Sequence, residues 1–218
     1  RSGTNSDNNL YFNLYNTNSG TTSLRKRIVT NDVGFAPVNV WVNIVLTYDG
    51  SGSGLGMKYY KNGVPQSFAV IQDNLQNSTI ANTEDAYLSS YNGASSFFVG
   101  NQDEFAIYNT ELSAADALAI YGAGQPTDLT DLSPIAWYRM GENGAYKSPQ
   151  WLLPSNENKD KVSNYSFDFD GVDDKVTLSS SVDLGINSTI SLWVNLDSGF
   201  NGVIIGETSY AVPYILYV

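Results

Sequence analysis

Asp168, Asp170, Asp173 and Asp174 crowd one short stretch of the chain. Carboxylate oxygens are the ligands that Ca²⁺ prefers, so the stretch is a candidate for holding a hard divalent cation. Its spacing is not that of an EF-hand loop, which needs acids or amides at alternate positions, then Gly and a later Glu. The same residues also suit a turn, with Asp168 facing solvent and Asp170 and Asp173 bonding to backbone N–H groups. A second acidic pair, Asp103-Glu104, opens a segment that is otherwise apolar at Phe105, Ile107 and Tyr108. Carboxylates in such surroundings must be hydrogen-bonded or bound to a cation. Nucleophile and base chemistry has few other carriers. The chain contains no His and no Cys. That removes Ser-His-Asp and Cys-His arrangements, zinc-thiolate sites and disulfide frameworks. An enzyme built from these residues would have to work with carboxylates, Lys or Tyr.

The wider composition narrows the partners. Of 218 residues, 22 are acidic and 11 are Lys or Arg, for a net charge of −11. Nucleic acid and anionic membranes need a basic footprint, and Arg25-Lys26-Arg27 is too small to supply one. Charged residues make up only 15%, and Asn, Ser, Thr and Gly carry most of the polarity. No apolar run reaches the ~18 residues of a spanning helix, and no charged-then-apolar leader opens the chain, so a chain without membrane insertion is expected. Aromatics at 13% could fill a core. They could equally present flat faces to a sugar, with Tyr59, Tyr60, Tyr91, Trp151, Trp193 and Tyr210 as candidates; for Trp41, Trp137 and Trp193, core filling is the expected role.

The elements that must position these residues are mostly strands. Val38, Val40, Val42, Ile44, Leu46 and Tyr48 alternate with Asn39, Trp41, Asn43, Val45, Thr47 and Asp49, a long one-sided strand. Met57–Lys61 follows, and Asn62-Gly63 predicts a tight type I′ hairpin with Gln66–Ile71 returning. Further strands are expected at Leu10–Tyr15, Arg27–Thr30, Ala86–Tyr91, Phe97–Gly100, Glu104–Tyr108, Ile135–Met140, Tyr165–Asp170, Lys175–Leu178, Ile190–Leu196, Val203–Ile205 and Val212–Val218. Ser113 reads as the N-cap of one short helix, Ala114–Tyr121, stopped by Gly122. Residues 122–132 have the Gly, Pro, Thr and Asp content of a linker. Many short strands with regular turn signals predict an all-β antiparallel sandwich.

Three stretches resemble the laminin G-like, concanavalin A-like jelly-roll domain. The first is Trp41-Val42-Asn43-Ile44-Val45-Leu46-Thr47-Tyr48-Asp49-Gly50 with Lys58-Tyr59-Tyr60-Lys61-Asn62-Gly63. The second is Asp103-Glu104-Phe105-Ala106-Ile107-Tyr108-Asn109 with Leu112-Ser113-Ala114-Ala115-Asp116. The third is Ile135-Ala136-Trp137-Tyr138-Arg139-Met140-Gly141-Glu142, Phe167-Asp168-Phe169-Asp170-Gly171-Val172-Asp173-Asp174 and Ile190-Ser191-Leu192-Trp193-Val194. Their order is permuted against the family. Residues 1–121 look like the later part of such a domain and 133–218 like its opening part. The two parts would belong to one sandwich if the chain is permuted, or to neighbouring repeats or chains if copies lie in tandem.

The resemblance implies a jelly-roll sandwich with one short helix, similar to modules of marine phage structural proteins and bacterial surface proteins. A non-catalytic structural or adhesion role on a virion or cell surface is the expectation, with an extracellular or virion-surface location. Protein neighbours in a repeat or head-to-tail assembly, and surface glycans, are the expected partners. A Ca²⁺-dependent carbohydrate-binding lectin is the alternative. A polysaccharide hydrolase is the third reading; the superfamily's hydrolases carry a Glu-x-Asp-x-x-Glu strand, and no such pattern occurs in this chain. The resemblance also implies a structural Ca²⁺ between the late strand and the opening segment, which would make Asp103 and Glu142 its ligands.

Overall fold

The computed structural model describes residues 9–15, 25–31, 34–73, 86–90, 96–140, 166–177, 187–197, 202–207 and 214–217. They form fourteen strands and one α-helix in two antiparallel sheets. In chain order the strands are β1 (Tyr11–Tyr15), β2 (Arg25–Thr30), β3 (Val42–Tyr48), β4 (Met57–Lys61), β5 (Val64–Gln66), β6 (Phe68–Asp73), β7 (Ala86–Leu88) and β8 (Val99–Tyr108). After helix α1 (Ala114–Tyr121) come β9 (Ala136–Tyr138), β10 (Phe167–Asp170), β11 (Val176–Thr177), β12 (Ser188–Leu196), β13 (Val203–Glu207) and β14 (Tyr214–Tyr217). One sheet runs β11-β7-β13-β14-β1-β2-β6. The other runs β10-β8-β12-β3-β4-β5, with β9 also pairing to β8. The chain is an all-β sandwich.

Alternation dictates which side chains meet between the sheets. Ile44, Leu46 and Tyr48 of β3 join Met57 and Tyr59 of β4, Ile190, Leu192 and Val194 of β12, and Phe105 and Ile107 of β8. Leu10, Phe12, Leu14 and Ile28 come from the facing sheet. Tyr59 bridges the layers, since its hydroxyl donates to the Leu10 carbonyl at 3.0 Å while its ring lies buried among Phe12, Phe35 and Phe68. The outer face of the second sheet is covered as well. Val45, Tyr60, Ala106 and Tyr108 on that face pack against Leu112, Ala117, Ile120 and Leu129. This explains why β3 is apolar on both sides at Val45.

Helix α1 is the two-turn element the sequence predicts. Ser113 Oγ accepts from the Asp116 N–H, Asp116 Oδ2 accepts from the Ser113 N–H, and Gly122 ends the helix in the left-handed region. Residues 122–135 do not hang free: Thr127 Oγ1 donates to the Ala119 carbonyl and Leu129 is buried.

The two parts of the chain interleave. β12 lies between β8 and β3, while β13 and β14 lie between β7 and β1. β14 runs antiparallel to β1, with Tyr217 opposite Tyr11 and Tyr214 opposite Leu14.

Three expectations about elements differ from the structure. The long strand starts at Val42 and not at Val38, because Asn39 takes a φ of 59° and sends its N–H to the Leu196 carbonyl at 2.7 Å. Val38 and Val40 are consequently exposed. The strands expected at 97–100 and 104–108 are one ten-residue strand, β8. The strand returning from Asn62-Gly63 is short; β5 pairs with β4, and the chain then leaves that sheet at Ser67 to run as β6 in the other. Asn62 and Gly63 themselves have φ of 51° and 73°, as a type I′ turn requires.

Candidate functional site

The acidic pair of β8 owes its position to a β-bulge. Gln102 stands opposite Val194 and Phe105 opposite Tyr138, both on the inner face by register. Two residues, Asp103 and Glu104, occupy the interval where strict alternation allows one, and the pairing with β12 shifts between Ser191 and Trp193. Glu104 absorbs the extra residue with a φ of 52°. Both side chains therefore leave the core face in succession.

Glu104 is 3% exposed, yet fully engaged. Its Oε2 accepts from Trp137 Nε1 at 2.6 Å and its Oε1 from Arg139 Nε at 3.1 Å. The Arg139 guanidinium also lies 4.9 Å from the Trp137 ring centre. Burial raises the Glu104 pKa; the Arg139 charge and the two side-chain hydrogen bonds pull it back without cancelling the rise. Asp103, equally buried, accepts the Glu104 N–H on Oδ1 at 2.8 Å. Nearby, burial pushes the Tyr108 hydroxyl far up, with the Glu104 and Asp116 charges adding to it. The pair thus caps its own bulge and ties β8 to β9. Glu142, the residue expected to share a cation with Asp103, lies outside the described residues.

The second acidic group sits at a corner of the sandwich. β10 belongs to one sheet and β11 to the other, and residues 171–175 carry the chain between them. Ligand oxygens of Asp170, Asp173 and Asp174 lie within 4.8 Å of one another; the first two residues are exposed and Asp174 is half-buried. Asp170 Oδ1 accepts from the Val172 N–H at 2.8 Å, and Asp174 Oδ2 accepts from the Asp170 N–H at 3.1 Å. Asp174, where Asp173 was expected, is therefore the second acid that shapes the turn. Three carboxylates leave several oxygens for a cation that takes six to eight, so the turn suits Ca²⁺ in ligand type and supplies part of a shell. Asp168 is not in this group and projects from the other face of β10 than Phe169, which is in the core.

The aromatic candidates divide by burial. Tyr59, Tyr60 and Trp193 are buried, the last stacked on Tyr121 with ring centres 5.8 Å apart. Tyr91, Trp151 and Tyr210 lie outside the described residues. Trp41, expected as core filler, is 39% exposed because the strand pairing begins only after it. Arg27 of the small basic stretch is placed over the Tyr11 ring at 4.4 Å.

Among the described residues, no helix is long and apolar enough to cross a membrane. No curated protein and no solved structure matches the chain. Residues 1–117 match the laminin G-like family model described as the concanavalin A-like lectin/glucanases superfamily. The matched span runs from β1 into α1, and the remaining strands complete the same two sheets. Domains of this kind are generally non-catalytic and often extracellular. With the antiparallel sandwich and the matched span in agreement, the chain belongs to the concanavalin A-like lectin/glucanase superfamily as a laminin G-like domain.

Proposed function

We propose that this laminin G-like chain is a non-catalytic structural or adhesion module displayed outside the cell, on a virion or cell surface. The observation that carries the reading is the commitment of the β8 acids. A two-carboxylate glycosidase needs both groups open to a sugar and about 5–9 Å apart across it. Glu104 has both oxygens bonded to Trp137 and Arg139 beneath the surface, and Asp103 holds the bulge backbone. These acids join strands. The acidic surplus supports neutral partners: protein neighbours in a repeat or head-to-tail assembly, and surface glycans. Incubation with a panel of polysaccharides tests it. No release of reducing ends is expected; turnover that disappears in Glu104→Gln would overturn the reading.

The three clustered carboxylates favour a second reading, a carbohydrate-binding lectin that depends on Ca²⁺. Calcium would then hold the 170–174 turn in one shape. Glycan-array binding in calcium and in EDTA separates the two, since only the lectin loses its ligand on chelation.

A further inference from the structure

Asn-Gly is a chemically labile pair, because a glycine nitrogen with no Cβ beside it is free to attack the preceding side-chain amide. Asn62-Gly63 is such a pair, at the tip of the β4–β5 hairpin. The attack needs the Asn62 amide to swing onto the Gly63 nitrogen and the backbone between them to turn. Water must then reach the product. The fold restrains all three.

The Asn62 N–H donates to the Asn43 carbonyl at 2.9 Å, and Asn62 Oδ1 accepts from the Asn43 N–H at 2.9 Å. These two bonds carry the β3–β4 ladder one step beyond the Ile44–Lys61 pair. Asn43 is a firm anchor, wholly buried, with its Nδ2 donating to the Leu192 carbonyl at 3.3 Å. Asn62 and Gly63 keep φ of 51° and 73°, whereas ring closure fixes the rotation about Asn62 Cα–C at a value that a type I′ turn does not use. Gly63 is buried under helix α1, so close that a Cβ would also lie 3.3 Å from the Tyr121 Cβ.

We propose that Asn62 is a self-modification site that helix α1 keeps closed. When α1 lifts, the Gly63 nitrogen bonds to Asn62 Cγ and the Cγ–Nδ2 bond breaks. The proton lost by the Gly63 nitrogen passes through solvent to the leaving group, which departs as ammonia. Water then opens the cyclic imide. Hydrolysis at the side-chain carbonyl gives an ordinary aspartate, whose carboxylate still accepts from the Asn43 N–H. Hydrolysis at the main-chain carbonyl gives isoaspartate, which adds one carbon to the backbone. That atom has no room against Leu118 and Tyr121, so an isoaspartyl tip cannot reseat under α1. An opening that is reversible before the reaction becomes permanent after it. The inference is independent of the adhesion reading.

The test incubates the full chain in native buffer and in guanidinium chloride at one pH and temperature. Mass spectrometry follows the chymotryptic peptide of residues 61–68, with isoaspartate resolved by chromatography. Conversion of Asn62 should be about tenfold or more slower in the native chain, since only the opened fraction reacts. Ser113→Ala removes the cap of α1, where Ser113 Oγ accepts from the Asp116 N–H, and leaves the hairpin untouched. It should speed native conversion about fivefold. Hydrogen exchange of residues 114–121 should rise in the isoaspartyl fraction and stay at the parent level in Asn62→Asp. Equal rates in the two buffers, or a Ser113→Ala rate equal to the parent's, overturn the gate. Isoaspartyl chains whose α1 is as protected as the parent's overturn the permanent opening.

Discussion

Gly63 and Leu118 approach so closely that a Cβ on the glycine would lie 3.0 Å from the Leu118 Cα and 2.9 Å from its Cδ1. The hairpin tip of β4–β5 and helix α1 are thus pressed together at a position that also has a φ of 73°. Gly63→Val meets both obstacles, and a β-branched residue is poorly suited to that backbone region. The expected loss is about 2–4 kcal/mol, combining backbone strain with overpacking, read from urea or thermal unfolding. A variant as stable as the parent would show that the tip can move away from the helix.

Glu104 makes stability depend on pH in a definite direction. Its folded pKa is raised above the unfolded value, chiefly by burial. Its stabilising share is therefore complete below the ordinary Glu value of about 4.3 and fades as pH rises through the raised one. Because Gln does not titrate, the stability gap between parent and Glu104→Gln should be widest in acid and shrink on the way to neutrality. A gap that widens with pH would mean that Arg139 outweighs burial.

Removing the cation exposes the other side of the same balance. Arg139→Met leaves Glu104 3% exposed with only the Trp137 N–H against it. A loss of up to about 3 kcal/mol is expected, the lower end for breaking a buried pair, since Arg139 keeps some contact with solvent. Equilibrium unfolding at pH 7 measures it, and an unchanged midpoint would contradict the tie between β8 and β9.

Calcium at the 170–174 turn should raise the melting temperature. At free calcium a hundredfold above Kd the gain is about 2.7 kcal/mol. Asp173→Asn is the informative variant, because Asp170 and Asp174 carry the turn's hydrogen bonds. It should melt like the parent in EDTA and lose the calcium increment. No calcium increment in the parent would sink the idea.

The interleaved strands predict one unfolding unit. Leu192 sits on β12, between β8 and β3, and is wholly buried. Leu192→Ala should cost about 2–5 kcal/mol and shift near-UV circular dichroism and tryptophan fluorescence together. Two separate transitions would show that the parts before and after residues 122–132 fold independently. Light scattering should report a compact monomer.

Much of this arrangement is legible in residue types. The apolar series Ile44, Leu46, Tyr48 and the Asn62-Gly63 pair carry period and turn chemistry locally, and Ser113 with Asp116 writes the helix start in four residues. What escapes depends on partners distant in sequence. The bulge at Asp103-Glu104 appears only when Gln102 and Phe105 are set against their neighbours on β12 and β9, although two adjacent acids between inward residues hint at a break in parity. Trp41 looks like core by type, yet its exposure follows from the left-handed Asn39, which delays the pairing of β3. Nothing around Ser67 signals a change of sheet, because both segments have ordinary strand chemistry.

The antiparallel pairing of β1 with β14 has a mechanical side. Tyr11 and Tyr217 face each other at one extremity of that ladder. A tether attached at these two residues and pulled apart would load the nearest hydrogen bonds first and open the seam like a zip. Attachment at Tyr11 and Tyr214 would instead load the ladder in shear, so that its bonds resist together. A sandwich that bears tension would hold far more force through the second pair of anchor points than through the first.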